Sequence, residues 1–162
     1  MISVSFIIPV YNTPEILLRR CIDCILKVIG NCDAEIIVVD DGSAETNVKE
    51  VLSSYGIDVK FFRQENKGQA AARNVGLANA TNEYIQFVDS DDYLLAENYL
   101  EVLKLAAEEN ADLIMFSHKE VSTVEPIFQK QKGSKMWSSS GDDYLLNNSI
   151  FGVVWTCLIR RS

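Results

Sequence analysis

The sequence predicts one α/β domain built on a mostly parallel sheet with helices on both faces. Three observations carry that expectation. Short apolar runs of strand character alternate with segments of helical period along most of the chain. One run, Ile36-Ile37-Val38-Val39, is apolar on both faces, as in a parallel strand covered from both sides. Three runs end in polar residues, Tyr11-Asn12, Asp40-Asp41 and Asp89–Asp92, which a parallel sheet delivers to one rim.

Size and charge narrow the function classes. A chain of 162 residues that is 48% hydrophobic can bury a core as a single domain. No run approaches the roughly 18 apolar residues of a membrane span. The start, Met-Ile-Ser-Val-Ser-Phe-Ile-Ile-Pro, lacks a basic segment and a small-residue cleavage site, so a cytoplasmic protein is expected. A net charge of −8 argues against nucleic-acid binding, which needs a basic footprint. An acidic protein that binds a phosphate needs local help from a metal, a helix N-terminus or a placed arginine.

The elements follow in order. Ser3–Val10 reads as a buried strand closed by Pro9. Thr13-Pro14-Glu15 starts a helix, with Thr13 as the hydroxyl cap and Leu17, Leu18, Cys21, Ile22, Ile25 and Ile29 on its apolar face up to Gly30-Asn31. Glu35–Asp40 is the second strand. It turns at Gly42, and Ser43 is expected to cap a helix over residues 44–54. Val59–Arg63 is a third strand, Ala70–Ala80 a small-residue helix whose Gly76 allows close packing, and Tyr84–Val88 a fourth strand. Glu97–Asn110 is a helix with Leu100, Leu103, Ala106 and Ala107 inward, and Ala111–Ser117 a fifth strand. From His118 to Ser140 the pattern breaks, predicting a mobile hairpin or lid. A short helix over Asp142–Asn148 and a last strand over Val153–Arg160 complete the chain. Residues 1–117 thus read as the core, and 118–162 as an incomplete continuation of the same domain.

Cys21-x-x-Cys24 has no second pair at metal-ligand spacing, and Cys21 falls in register with Leu18, Ile22 and Ile25, so a buried thiol acting as a small hydrophobe is expected. His118 is the single histidine, with no nucleophile in evident relation to it, which argues against a catalytic triad.

The chemistry concentrates in Tyr84–Asp92. On an extended backbone Asp89 and Asp91 point to the same side, and with nothing basic beside them they repel unless a cation intervenes. Hard oxygen ligands of this kind suit Mg²⁺ or Mn²⁺ completed by phosphate oxygens. By spacing alone, acids that merely cap the next helix explain the pattern as well.

Four stretches in order carry a resemblance: Phe6-Ile7-Ile8-Pro9-Val10-Tyr11-Asn12, Ile37-Val38-Val39-Asp40-Asp41-Gly42-Ser43, Asn66-Lys67-Gly68 with Ala72-Arg73-Asn74, and Val88-Asp89-Ser90-Asp91-Asp92. Together they resemble the family 2 glycosyltransferases of the GT-A fold over nearly the whole chain. The resemblance implies a Rossmann-like fold cut short at its C-terminus, and transfer of a sugar from a UDP-sugar with inversion, assisted by Mn²⁺ or Mg²⁺. It places Pro9, Val10, Tyr11, Asp40, Asp41, Arg73, Asp89, Ser90 and Asp91 at the nucleotide. Tyr11 would pack on the base, Asp41 accept the base N–H, and Asp40 order the turn. Asp89 would lie near the ribose, Asp91 on the metal with Asp89 beside it, and Arg73 near the nucleotide. It further implies a saccharide or lipid-linked acceptor, and work on bacterial surface polysaccharides at the inner membrane face.

Inverting transfer needs a general base for the acceptor hydroxyl. In the family that acid comes later in the chain, and Asp142-Asp143 lies too early to match. The chain is therefore expected to hold the donor-binding part of a longer enzyme and to transfer sugar poorly alone. Two rivals remain at this point, a non-catalytic nucleotide-sugar-binding module and an Asp-based phosphoryl-transfer domain. Dinucleotide-binding oxidoreductases are excluded, because no Gly-x-Gly-x-x-Gly follows the first strand.

Overall fold

A computed structural model describes residues 2–30, 32–118 and 156–161. Its elements are β1 (Ser3–Val10), α1 (Glu15–Ile29), β2 (Asp33–Asp40), α2 (Val48–Ser53), β3 (Lys60–Arg63), α3 (Gln69–Asn79), β4 (Tyr84–Phe87), α4 (Ala96–Glu109), β5 (Leu113–Met115) and β6 (Cys157–Arg160). The strands form one sheet in the order β3-β2-β1-β4-β6-β5. β1, β2, β3 and β4 run parallel, whereas β6 lies antiparallel between β4 and β5. The expected mixed α/β sheet is present. The hairpin or lid and the Asp142–Asn148 helix fall outside the described residues, as do residues 153–155 of the last strand.

The strand alternation divides the core between the two faces of the sheet. Val4, Phe6, Ile8 and Val10 of β1 join Ile36 and Val38 of β2 beneath α1, α2 and α4. Ile7, Ile37, Val39, Ile85 and Phe87 face the other way, against Ala72 of α3. Helix α3 can lie this low because Gly76 has no side chain. A Cβ there would run into Ile7 Cγ2.

Pro9 closes β1 on one side only, because the strand stays paired with β2 through Val10↔Asp40. Val88 N donates to Ile7 O, and Asp41 N to Val10 O, so odd-numbered backbone groups of β1 face β4 and even-numbered ones face β2. Pro9 therefore turns its missing donor towards β4, where the next ladder bond would need an N–H at residue 9, and the pairing of β1 with β4 stops at Ile7 as expected of a proline.

Three further expectations are corrected. Helix α2 begins at Val48, capped by Asn47, whose Oδ1 accepts from Glu50 N at 3.3 Å. Ser43 is no cap, because its hydroxyl accepts from Asn12 N and the amides of Ala44 and Glu45 are taken by Asn12 Oδ1. Thr13 does not cap α1 either. Pro14 holds the cap position without a side-chain bond. In α4 the buried positions are Tyr99, Leu103 and Ala106, while Ala107 is exposed. All four cysteines are free and buried, and burial pushes the Cys24 thiol up to about 11, as fits the hydrophobe reading.

Candidate active site

The carboxyl ends of β1, β2 and β4 open on one rim, because the three strands are parallel neighbours. Each end delivers one part of a site.

β1 delivers Tyr11 and Asn12. The Pro9 and Val10 side chains are buried in the core, so they shape the site only through the backbone. Tyr11 is 53% exposed and presents its ring to solvent. The next residue, Asn12, adopts a left-handed backbone with φ of 49°, a conformation that asparagine tolerates better than most residues. Its Oδ1 accepts from Ala44 N at 2.8 Å and Glu45 N at 3.1 Å, tying the β1 loop to the one after β2.

β2 delivers Asp40 and Asp41, both buried. Asp40 orders the turn: its Oδ1 accepts from Ser43 N at 2.8 Å, and its Oδ2 meets Arg63 Nη1 at 2.6 Å. A buried carboxylate is tolerable with these partners. The register that sets Asp40 beside Arg63 is that of β2 and β3. Asp41 is 3% exposed. Its Oδ1 accepts from Gln64 Nε2 at 2.6 Å and Lys67 N at 2.9 Å, and its Oδ2 from Gly68 N at 2.9 Å. Most of its acceptor capacity therefore goes to fastening the loop from Gln64 to Gly68. Gly42 lets that loop approach. Its φ is 80°, and a Cβ there would stand 3.0 Å from Asn66 N.

β4 delivers the acids, and here two premises drawn from the sequence fail. Asp92 N donates to Asp89 O at 2.9 Å, closing a tight turn over Ser90 and Asp91, so the backbone is not extended. Nor is the corner without a base. Arg73 Nη2 lies 2.6 Å from Asp89 Oδ1, and Gln69 Nε2 donates to the same oxygen at 2.9 Å. Helix α3 thus holds Asp89 from one side. From the other, Arg20 Nη2 donates to Asp91 O at 2.8 Å while its guanidinium sits 4.6 Å from the centre of the Tyr93 ring. Cys21 Sγ contacts Asp89 O at 3.7 Å. Ser90 is buried with its hydroxyl against Thr13.

Asp91 and Asp92 are exposed. Partial desolvation, then the charges of Asp91 and Asp89, raise the Asp92 carboxyl, with His118 and Arg20 opposing. Among the described residues no cluster of three or more His, Cys, Asp or Glu side chains forms a ready-made metal cage. The corner instead offers the exposed Asp91 carboxylate and the second oxygen of Asp89. One or two carboxylates are what Mg²⁺ or Mn²⁺ takes from a protein when phosphate oxygens complete its shell.

The sequence reading missed Asn12 as a clasp, Thr13 as a partner of Ser90, and Arg20, Arg63, Gln64 and Gln69 as supports. Only Arg63 left a signal, since parallel pairing of the second and third strands brings their ends together.

Comparison with known proteins agrees with the geometry. The sequence from residue 5 to residue 162 matches glycosyl transferase family 2. Glycosyltransferase GlyA of Streptococcus pneumoniae is 36% identical over 129 residues, covering 78% of this chain and 18% of GlyA. The putative glycosyltransferase EpsH of Bacillus subtilis is 30% identical over 166 residues, covering 99% of this chain and 47% of EpsH. The chain thus spans less than half the length of these relatives. Among solved structures, S. aureus TarS 1-349 superposes with a TM-score of 0.74 at 24% identity, covering 99% of this chain and 47% of that one. The same protein in complex with UDP gives 0.67 at 27% identity, covering 79% and 38%. On this evidence of fold, site and sequence, the chain belongs to glycosyl transferase family 2.

Proposed function

We propose that the rim formed by β1, β2 and β4 binds a UDP-sugar, and that the chain supplies the donor side of an inverting, metal-assisted sugar transfer. The observation that carries this reading is the convergence of the open Tyr11 ring, the Asp41-fastened loop and the acidic turn on one edge. The TarS structure that holds UDP supports the choice of nucleotide.

Tyr11 gives the base an aromatic face. Asp41 holds the loop from Gln64 to Gly68 against that face and keeps little capacity for the base N–H itself. Asp89, steadied by Arg73 and Gln69, faces the ribose, and Arg73 adds positive charge beside the diphosphate. Asp91 holds the divalent ion, Mn²⁺ or Mg²⁺, with the second oxygen of Asp89 beside it. When bound, such an ion offsets the negative charge that grows on the departing diphosphate. Ser90, Pro9 and Val10 shape the site from behind. The acceptor in this reading is a saccharide or lipid-linked glycan presented at the inner membrane face, and its general base is not assigned to any described residue. Among those residues no helix is long and apolar enough to cross a membrane. Full burial of Asp40 at 0% exposure speaks against a phosphoryl-transfer role for it, because a nucleophile must be reached.

Calorimetry tests the reading. UDP is expected to bind with Mn²⁺ and to lose most of its affinity in EDTA, with Asp91→Ala removing the metal-dependent part. Tyr11→Ala is expected to weaken UDP binding in a folded protein. Binding that ignores the metal rejects the role of Asp91, and full affinity in the tyrosine variant removes Tyr11 from the site.

A further inference from the structure

The three residues after β1 send their side chains in three directions. Tyr11 opens to solvent, and Asn12 clasps the loop after β2. Thr13 turns inward, with its Oγ1 2.6 Å from Ser90 Oγ across 77 residues of sequence. Both residues are buried, each 6% exposed. The carbonyl of Thr13 also accepts from Thr46 Oγ1 at 2.7 Å, so this residue touches all three rim segments.

The position of that bond matters because of what it joins. Asp89, Asp91 and Asp92 repel one another, and repulsion favours opening the turn. Arg73 and Gln69 restrain its first residue, and Arg20 the backbone of its third. Ser90 is the middle anchor, and its hydroxyl hydrogen bond goes to the loop that carries Tyr11 two residues earlier. A buried hydroxyl left without its partner is costly, so the pair favours one relative placement of the two loops.

We propose that Thr13 is a positioning residue which, through Ser90, fixes the acidic turn relative to Tyr11 for the binding of a nucleoside diphosphate. The proposal rests on the donor-site reading above. Thr13 itself touches neither base nor phosphate in this scheme. It acts by preorganisation, sparing the ligand the cost of ordering the turn.

The test is a double-mutant cycle on the 162-residue chain, with UDP and Mn²⁺ followed by calorimetry and melting followed in parallel. Thr13→Val and Ser90→Ala are each expected to weaken Mn²⁺-dependent UDP binding about 5- to 20-fold, the scale of one buried hydrogen bond. The double variant is expected to bind no worse than the weaker single one. Thr13→Ser, which keeps the hydroxyl, is expected to restore binding even if it melts lower than the parent. Additive losses, unchanged affinity in Ser90→Ala, or affinity that follows melting temperature across the set overturns the coupling. If Thr13→Val does not fold, Thr13→Ser and Ser90→Ala still decide. A parent chain that fails to bind UDP with Mn²⁺ sinks the donor reading and the coupling together. A parent that binds, with variants that match it, sinks the coupling alone.

Discussion

Arg73 and Asp89 form an ion pair at 2.6 Å in which each side chain is only 16% exposed. The pair joins the middle of α3 to the acidic turn, and Gln69 one helical turn earlier donates to the same carboxylate oxygen. Removing the arginine leaves a half-buried charge that must hydrate or move.

Arg73→Met is therefore expected to destabilise the fold by about 1–3 kcal/mol, below the cost of breaking a fully buried pair. Urea unfolding measures it. Arg73→Met/Asp89→Asn is expected to recover part of that loss, because no unpaired carboxylate remains. A double variant less stable than Arg73→Met would show that the pair is not what α3 contributes here.

At the opposite edge of the sheet, Glu35 predicts an acid limit to stability. Burial alone would raise this carboxyl, but Lys60, the Ser5 hydroxyl and both the amide and hydroxyl of Thr81 hold it down at about 2, against 4.5 when unfolded. Its folded value is depressed, so the stabilisation is complete above pH 4.5 and is lost as pH falls towards 2. With the Lys60 end 40% exposed, solvent screening leaves about 2 kcal/mol of it. Glu35→Gln is expected to be less stable at pH 7 and to show a flatter stability profile between pH 5 and 2. Parallel profiles in the two proteins would refute the assignment.

Close approach of α3 to β1 gives a third expectation. Gly76→Ala sets a methyl against Ile7 Cγ2 and is expected to cost about 1–3 kcal/mol, although alanine is the better helix former. Ile7→Ala makes room, so its own penalty is expected to be smaller in the Gly76→Ala background than alone. Equal penalties in both backgrounds would mean that the helix shifts instead.

These supports explain what could be read in the chain beforehand. The four parallel strands were legible because each carries a short apolar run, on both faces in the case of Ile36–Val39, a pattern that local sequence carries by itself. The Asp40-Asp41-Gly42-Ser43 turn was legible because Gly42 must supply its backbone geometry. The start of α2 was not: Ser43 looks like a cap until Asn12, on another loop, takes the amides it would have competed for. The same holds for Thr13, which forgoes capping α1 to meet Ser90. Asp89 looked unpaired because its arginine lies 16 residues earlier on a helix. In each case a distant partner outbid a sound local rule, and the partner became visible only once the strand ends had been brought together.

The antiparallel strand between β4 and β5 also sets an order of assembly. Among the described residues, β5 joins the sheet through the later strand Cys157–Arg160. On a ribosome, β4 cannot gain this neighbour until Cys157–Arg160 emerges from the exit tunnel. A nascent chain stalled short of that point lacks the strand that pairs with both β4 and β5, and an uncovered strand edge is the kind of surface that chaperones shield and neighbouring chains invade.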